Sequence, residues 1–324
     1  MRFCRSLIVV TAFGSVAFAA DPGLLSLVMP DAKVVSGIQA DQTRNSLFGQ
    51  YVLSHMQADD ANLNKFIAQT GFDPRKDVSE IILASNAESG TTQGHGLVLL
   101  KGVFNVSKMT AAAQANGGVI TPFDGVDIVT YPASGNQQIG HGIAFLDPST
   151  AILGDVASVE TAIQQRKTNK PPGSSLLDKV AQVSVNNDFW FVTLAPISQL
   201  APLPDPNLSS ALNGNVLAAI NQLSGAVRFG GTVTISLEAI ARTDKDAQAL
   251  ADVLKFAASL AQLDNKNSPA STQLAALLNT LDSKTAGNTT TISLAIPERQ
   301  LEQLLPAVGQ QSLPIRKKSG RQLN

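Results

Sequence analysis

The feature that most constrains the fold is a repeated succession of β-patterned and alanine-rich helical segments. Thr232–Ile240 alternates between apolar and polar residues, which is typical of a strand with one buried face. A helical segment follows, and Thr243 and Asp246 have the spacing of a capping box. Gly96–Ala113 has the same succession of strand, polar cap and Ala-rich helix. The sequence therefore predicts an α+β fold, with duplication or convergence as the two explanations of the likeness.

Each half of the chain has the predicted order strand–helix–strand–strand–helix–strand, which is the ferredoxin-like order. We therefore predict two tandem ferredoxin-like βαββαβ-type halves, with mostly antiparallel sheets and helices packed on one face. The pattern leaves open whether the halves form one continuous sheet or two.

Composition suggests where these halves begin and end. The segment around Pro171 and Pro172 has no apolar residue to bury, so it is predicted to be a linker. The predicted organisation is a signal peptide at 1–19, a first α+β half at 20–166, a linker at 167–175, a second α+β half at 176–306 and a disordered basic tail at 307–324.

The N-terminus has the features of a secretory signal peptide. Two arginines precede an apolar stretch, Leu7–Val16, and Ala17-Phe18-Ala19 provides the small-x-small pattern of a cleavage site. The predicted cut falls before Ala20. The alternative, an uncleaved anchor, would need a longer apolar run. We expect an exported protein, either periplasmic or secreted.

Cysteine usage and charge exclude several classes of function. The only cysteine, Cys4, lies inside the predicted signal peptide, so the mature chain would contain no thiolate nucleophile or cysteine-ligated metal. The net charge of −1 does not favour nucleic acid as a partner. No second apolar run is long enough to span a membrane, so we expect no transmembrane segment in the mature chain.

The common catalytic and nucleotide-binding motifs are missing from the mature sequence. It contains no G-x-S-x-G, S-x-x-K or H-E-x-x-H motif, and neither G-x-G-x-x-G nor a P-loop. We therefore assign no catalytic residue and no cofactor. The adjacent acids Asp59 and Asp60 could serve carboxylate chemistry, but their position before a predicted helix favours a capping role.

Two histidines are weak candidates for a metal site. His95 and His141 each lie between two glycines, directly before a predicted strand. If those strands were neighbours, the imidazoles could meet and bind zinc or copper. The alternative is a pair of histidines at flexible strand entrances.

The C-terminal segment contains a basic cluster, Arg316, Lys317, Lys318 and Arg321. Such a cluster could contact an anionic envelope polymer or phospholipid headgroups. The alternative is a solvated, disordered chain end.

One phrase in the first half resembles a known type of protein. Phe145-Leu146-Asp147, followed by Gly154-Asp155, Val159 and Ile163, is similar to a phrase in secreted bacterial proteins of unknown function with tandem α+β units. The likeness covers roughly the first half. It implies export and no known chemistry.

These observations predict a non-enzymatic exported protein with a binding or scaffolding role in the cell envelope or extracellular space. Its partner would be a protein or an apolar small molecule. One alternative is a small-molecule or lipid carrier in which helices cover a curved sheet and leave an apolar pocket between the halves. The other is a metal-independent hydrolase with carboxylate chemistry.

Overall fold

The described strands form one antiparallel sheet. The computed structural model describes residues 19–55, 61–87, 95–131, 140–168, 174–195, 215–263 and 280–300. The strands in these ranges are β1 (Val34–Gln39), β2 (Val78–Ser85), β3 (Gly96–Gly102), β4 (Val119–Phe123), β5 (Val126–Tyr131), β6 (His141–Asp147), β7 (Thr150–Asp155), β8 (Phe189–Thr193), β9 (Ile220–Arg228), β10 (Thr232–Ala241), β11 (Asp282–Ala286) and β12 (Thr289–Pro297). The helices are α1 (Pro22–Leu25), α2 (Ala40–Asn45), α3 (Leu47–His55), α4 (Ala61–Thr70), α5 (Pro74–Asp77), α6 (Val106–Ala115), α7 (Val156–Thr168), α8 (Ser175–Val183), α9 (Asn215–Ala218) and α10 (Asp244–Leu263).

The two halves of the chain meet at the middle of this sheet. The strand order is β11-β12-β10-β9-β8-β1-β2-β3-β7-β6-β5-β4, so β1 of the first half pairs with β8 of the second. In this pair Gly37 lies opposite Trp190, whose side chain is fully buried. A Cβ on Gly37 would lie 2.3 Å from the indole Cζ2 atom. Glycine is therefore what lets the two halves pack closely at this seam.

The prediction of two ferredoxin-like halves is wrong. A split βαβ unit places another strand between its first two strands, which are then parallel. Here β1 and β2 are antiparallel neighbours, from Val34 opposite Ser85 to Gln39 opposite Glu80. The element order predicted from sequence does not specify strand pairing, and the pairing found is a single twelve-stranded sheet in the described residues.

The strand order is nevertheless similar on both sides of the seam. Outward from the seam, one side begins β1-β2-β3-β7 and the other begins β8-β9-β10-β12. In both, a helix follows the third strand: α6 follows β3, and α10 follows β10. Gly96–Ala113 and the corresponding segment from Thr232 thus occupy equivalent places.

The segment predicted as a linker lies between α7 and α8. Helix α7 extends to Thr168 and α8 begins at Ser175, so both ends of the predicted 167–175 linker are helical. Residues 169–173 lie outside the described residues, as do 1–18 and 301–324. The remaining domain boundaries stay predictions.

One side of the sheet, which we call the core face, carries the main hydrophobic core. Alternation along the strands places fully buried side chains there, including Leu99, Ile152 and Trp190. Helices α1, α7 and α8 cover this face, and Leu24, Val159 and Val180 join the same cluster. Contributions from distant parts of the chain therefore form one continuous core.

The opposite side, which we call the pocket face, is also covered by helices. Alternation places Leu100, Phe145 and Leu153 on this side, under α4 and α6. On the other half of the sheet, α10 packs on the same face, where Leu250 contacts Ala239. The prediction that helices pack on one face is therefore wrong: they cover both.

Candidate functional site

The candidate site is a pocket between the sheet and the two helices α4 and α6. Its floor comes from four adjacent strands, β3, β7, β6 and β5. The register aligns its apolar side chains in rows, with Leu100 opposite Ala151 and Ile143 opposite both Leu153 and Val129. The floor residues are Leu100, Val129, Tyr131, Ile143, Phe145, Ala151 and Leu153. The floor is thus rigid, hydrogen-bonded sheet.

Local sequence signals fix the ends of the two covering helices. The Asn105 side chain caps α6 by accepting a hydrogen bond from the Lys108 N–H at 3.1 Å. Gly117 follows α6 with φ of 90°, and Gly71 follows α4 with φ of 72°. Both glycines adopt the left-handed conformation that commonly ends a helix, as their positions in the sequence predict.

Helix α4 presents one stripe of side chains to the pocket, and α6 presents another. The stripe of α4 consists of Asn62, Lys65, Phe66, Gln69 and Thr70, which recur at the helical spacing. The stripe of α6 consists of Met109, Ala112, Ala113 and Asn116. Because alanines occupy the middle of α6, this helix fills little of the space above the sheet.

Four aromatic rings that contact one another line the pocket. Phe104 lies between Phe72 and Phe145, with ring centroids 5.3 Å and 5.7 Å away. Phe66 of α4 meets Phe72 edge to face, at 6.2 Å between centroids, and its side chain remains 39% exposed. A large aromatic side chain on the covering helix is thus only partly packed.

The pocket has the size and lining of a small-molecule site. Its volume is about 590 Å³, within the roughly 300–1,000 Å³ typical of ligand sites. The lining is mainly aliphatic and aromatic, and the polar side chains belong mostly to the two helices. Among the residues that the structure describes, the lining includes no aspartate, glutamate or histidine.

Lys65 supplies a positive charge at the pocket. Its side chain is exposed on α4, and it forms no ion pair with the other residues that the structure describes. The ammonium can therefore contact a polar group of a bound molecule while its aliphatic stem covers apolar surface.

His95 and His141 do not lie on neighbouring strands. His95 precedes β3 and His141 begins β6, and β7 runs between these two strands. His95 Nδ1 lies 3.2 Å from the Asp155 carboxylate, while His141 is exposed opposite Asp155. Among the described residues, no group of three or more metal-ligating side chains occurs.

Asp155 has a structural role at the start of α7. Its carboxylate accepts hydrogen bonds from the Ser158 hydroxyl at 2.7 Å, the Ser158 N–H at 2.9 Å and the Gly96 N–H at 3.1 Å. Burial acts to raise the pKa of Asp155, but these hydrogen bonds outweigh it and hold that pKa below its usual value. Ser158 donates to the aspartate and not to His95, so the three residues do not form a nucleophilic triad.

Glu80 and Asp188 are two of the other buried carboxylates among the described residues, and neither lines the pocket. Burial raises the pKa of Glu80 to about 7 and also raises the pKa of Asp188. Asp188 accepts a hydrogen bond from the Phe229 N–H at 2.6 Å. Sequence reasoning missed both carboxylates, because an acid within or beside an apolar strand gives no signal of its burial.

The remaining predicted site residues lie at the chain ends or directly before α4. Ala19 and Ala20 belong to the described residues, and Ala20 is buried. Ala17, Arg316, Lys317, Lys318 and Arg321 lie outside the described residues, as do Asp59 and Asp60. The predictions for the signal peptide, the basic tail and the acidic pair are therefore not tested by the fold.

The carrier alternative drawn from the sequence places an apolar pocket between the halves, whereas this pocket lies within the first half. The available signal was the near-absence of polar alternation in Ile143–Leu146 and Ala151–Leu153, which is typical of strands covered on both faces. Volume left between a sheet and its covering helix has no sequence signature.

Comparison with known protein families, curated proteins and solved structures found no match. Within the described part of the chain, no helix combines the length and apolarity needed to cross a bilayer.

Proposed function

We propose that this chain is an exported, non-enzymatic carrier that binds a small amphiphile, with its apolar body under α4 and α6 and its anionic end near Lys65. The observation that carries the proposal is the pocket of about 590 Å³ with a floor of apolar strand residues. Export rests on the predicted signal peptide. The pocket supports the carrier alternative more directly than it supports a scaffold.

The hydrophobic effect would supply most of the affinity. Leu100, Ile143 and Leu153 present aliphatic surface that a ligand would remove from water. Burial of apolar surface contributes about 25 cal/mol per Å², so even a medium-length alkyl chain would gain several kcal/mol before the costs of association. The floor needs no rearrangement to receive it.

Position and charge favour an anionic end over a neutral one. Lys65 lies on the exposed helix and lines the pocket, so a carboxylate beside it would keep its solvation while the alkyl chain is buried. Partly exposed ion pairs of this kind contribute up to about 1 kcal/mol. Lys65 therefore provides selectivity and a smaller share of affinity.

The same lining argues against a hydrolase in this pocket. Among the described residues, the titratable side chains of the lining are Lys65 and Tyr131. Carboxylate catalysis needs two acids on either side of a substrate, and no described aspartate or glutamate lines the pocket.

The proposal is tested by filling the pocket from α6. Ala112 lines the pocket, whereas the neighbouring Ala111 is exposed on the same helix and does not. Fluorescence of anilinonaphthalene sulfonate would report binding to the purified chain, with dodecanoate as competitor. We expect Ala112→Phe to weaken dodecanoate binding at least tenfold, because the new ring occupies the ligand volume. Ala111→Phe is the matched control and should bind as the unmodified chain does.

Equal binding by the two variants, with both folded by circular dichroism, would show that the pocket is not the binding site. Failure of dodecanoate and dodecanol alike to displace the dye would contradict the carrier function. A protein captured without any displaceable small molecule would favour the scaffolding alternative.

A further inference from the structure

The residues that follow the predicted cleavage point are part of the core. Ala20 is 4% exposed, and Leu24 and Val28 are each 1% exposed. They belong to the same cluster as Trp190 on the core face. The segment from Ala20 onward is therefore held in place by burial.

Polar contacts hold the first two residues of this segment. The Ala20 N–H donates to the Ser184 hydroxyl at 3.2 Å. The Asp21 N–H donates to both carboxylate oxygens of Glu80, at 3.1 Å and 3.2 Å. Ser184 is 0% exposed and Glu80 is 5% exposed. Asp21 also caps α1 by accepting the Leu24 N–H.

Among the described residues, no cation contacts the buried Glu80 carboxylate. The nearby Lys101 ammonium lies 3.5 Å from Asp21 instead, and Glu80 forms no ion pair among the described residues. Burial, together with the charge of Asp21, raises the pKa of Glu80 to about 7. A buried carboxylate that accepts hydrogen bonds but has no cation in contact with it is costly to ionise, so this position favours the arrival of a positive charge.

We propose that cleavage between Ala19 and Ala20 creates this positive charge, and that the new α-ammonium of Ala20 forms a buried ion pair with Glu80. Water supplies the hydroxyl that leaves Ala19 as a carboxylate, and the Ala20 nitrogen takes up protons to become an ammonium. The Ala20 nitrogen already lies in the buried site, where it donates to the Ser184 hydroxyl. The next residue, Asp21, is the one whose N–H donates to the Glu80 carboxylate. Removal of the signal peptide thereby stabilises the packing of α1 against the core face.

The inference specifies the cleavage position to a single residue. A cut before Ala19 would leave an extra residue and move the ammonium out of the buried site. A cut after Ala20 would remove the nitrogen whose N–H donates to the Ser184 hydroxyl. The inference rests on the predicted signal peptide and does not depend on ligand binding in the pocket.

The first test is the N-terminal sequence of the exported full-length product. We expect Ala20-Asp21-Pro22. Any other first residue would overturn the inference.

The second test compares chains that start at Ala20 with a free or an acetylated amino group, each with Glu80 or Glu80→Gln. Glu160→Gln on α7 is the control substitution, because Glu160 forms no described ion pair. We expect acetylation to lower the folding equilibrium constant at least tenfold with Glu80 present, and much less with Glu80→Gln. An equal effect of acetylation in both backgrounds would overturn the pairing.

If Glu80→Gln does not fold, the test uses the two chains that keep Glu80, one with a free and one with an acetylated amino group. Carbon NMR would measure the pKa of the Glu80 carboxyl in each. We expect it near 7 in the acetylated chain and below 4.5, its ordinary value, in the free-amine chain. The charged groups that act on Glu80 are Asp21 and Lys101, and the polar group is Gln39; all are the same in both chains. Unchanged titration on acetylation would contradict the proposal.

The pH dependence of stability has a definite sign. In the acetylated chain the contribution of Glu80 to stability is greatest below about 4.5, its ordinary pKa, and is lost as the pH rises through about 7. In the free-amine chain the ion pair should remove this loss, and stability should instead fall where the rising pH deprotonates the Ala20 ammonium. Parallel stability profiles of the two chains would overturn the inference.

Discussion

The two faces of the sheet are built from the same strands but are packed differently. On the core face, α8 buries Leu176, Leu177 and Val180. On the pocket face, α6 buries none of its residues fully. Both helices are amphipathic and capped, so the difference lies in the volume of the inward side chains. One face is filled and stabilises the fold, whereas the other keeps space that a ligand can use.

The comparison teaches that stability and binding can be separated across a single sheet. Successive residues of a strand point to opposite sides, so Ile152 belongs to the core while Leu153 lines the pocket. Substitutions one residue apart should therefore affect different properties. The following predictions use matched residues on the two faces.

The largest expected difference is between two isoleucines on adjacent strands. Ile152→Ala on the core face should lower the free energy of unfolding by about 2–5 kcal/mol, because it leaves a cavity in close-packed surroundings. Ile143→Ala on the pocket face should cost about 1 kcal/mol, because part of this side chain already borders unfilled space. Urea denaturation measures both, and equal losses would contradict the distinction between the faces.

The seam between the halves provides the next test. Gly37→Ala should destabilise the chain by about 1–3 kcal/mol, because the methyl group would collide with Trp190. Gly96→Ala is the control, since a Cβ there would have no neighbour closer than 4.0 Å, and we expect a change within about 0.5 kcal/mol. Thermal unfolding of the two variants compares them; a tolerated Gly37→Ala would mean that the seam is not tightly packed.

Acid should weaken the contact between β7 and α7. The pKa of Asp155 is lowered in the folded chain, so its contribution to stability is present above its ordinary pKa of 3.8 and is lost as the pH falls through the lowered value. Asp155→Ala should cost about 1–3 kcal/mol at neutral pH and flatten the acid limb of the stability profile. Asp31→Ala, at an exposed position, is the control. If Asp155→Ala still lost stability in acid as steeply as the unmodified chain, the proposed role of Asp155 would be refuted.

The smallest expected effect concerns the positive charge at the pocket. Lys65→Gln should weaken dodecanoate binding a few-fold, consistent with about 1 kcal/mol or less for an exposed ion pair, and leave dodecanol binding unchanged. Lys108→Gln on α6 is the matched control, because Lys108 does not line the pocket. Equal losses for the acid and the alcohol would remove the proposed role of the charge.

The strands with at least one buried face are predicted from the sequence. The strands at the two edges of the described sheet are missed. The alternating segment from Thr232 is a strand as predicted. Residues 189–194 have almost no polar alternation, which predicts a strand covered on both faces, and Trp190 within it is in the core. The missed strands β4 and β11 are the edge strands of the described sheet. One contains Pro122 and the other is the polar segment Asp282–Ala286. Edges tolerate proline and charge, so their sequences resemble loops.

Long-range pairing accounts for other errors. The sequence predicts a helix over 208–223 after a proline-rich loop, yet residues 220–223 form the start of β9 against β10, where Ile220 lies opposite Ala241. Tertiary pairing overrides local preference there. The β1–β8 seam depends on the fit of Trp190 over Gly37, and nothing within either segment specifies the other. The position of the pocket was missed for another reason, because space left between a sheet and its covering helices has no sequence signature.

The most direct test of the account is methyl NMR of the isoleucines during titration with dodecanoate. Ile143 and Ile152 lie on neighbouring strands and on opposite faces. We predict saturable chemical-shift changes and ligand contacts at the Ile143 methyl groups, with those of Ile152 unchanged. Shifts at Ile152 without shifts at Ile143, or saturable binding that moves neither, would contradict the account.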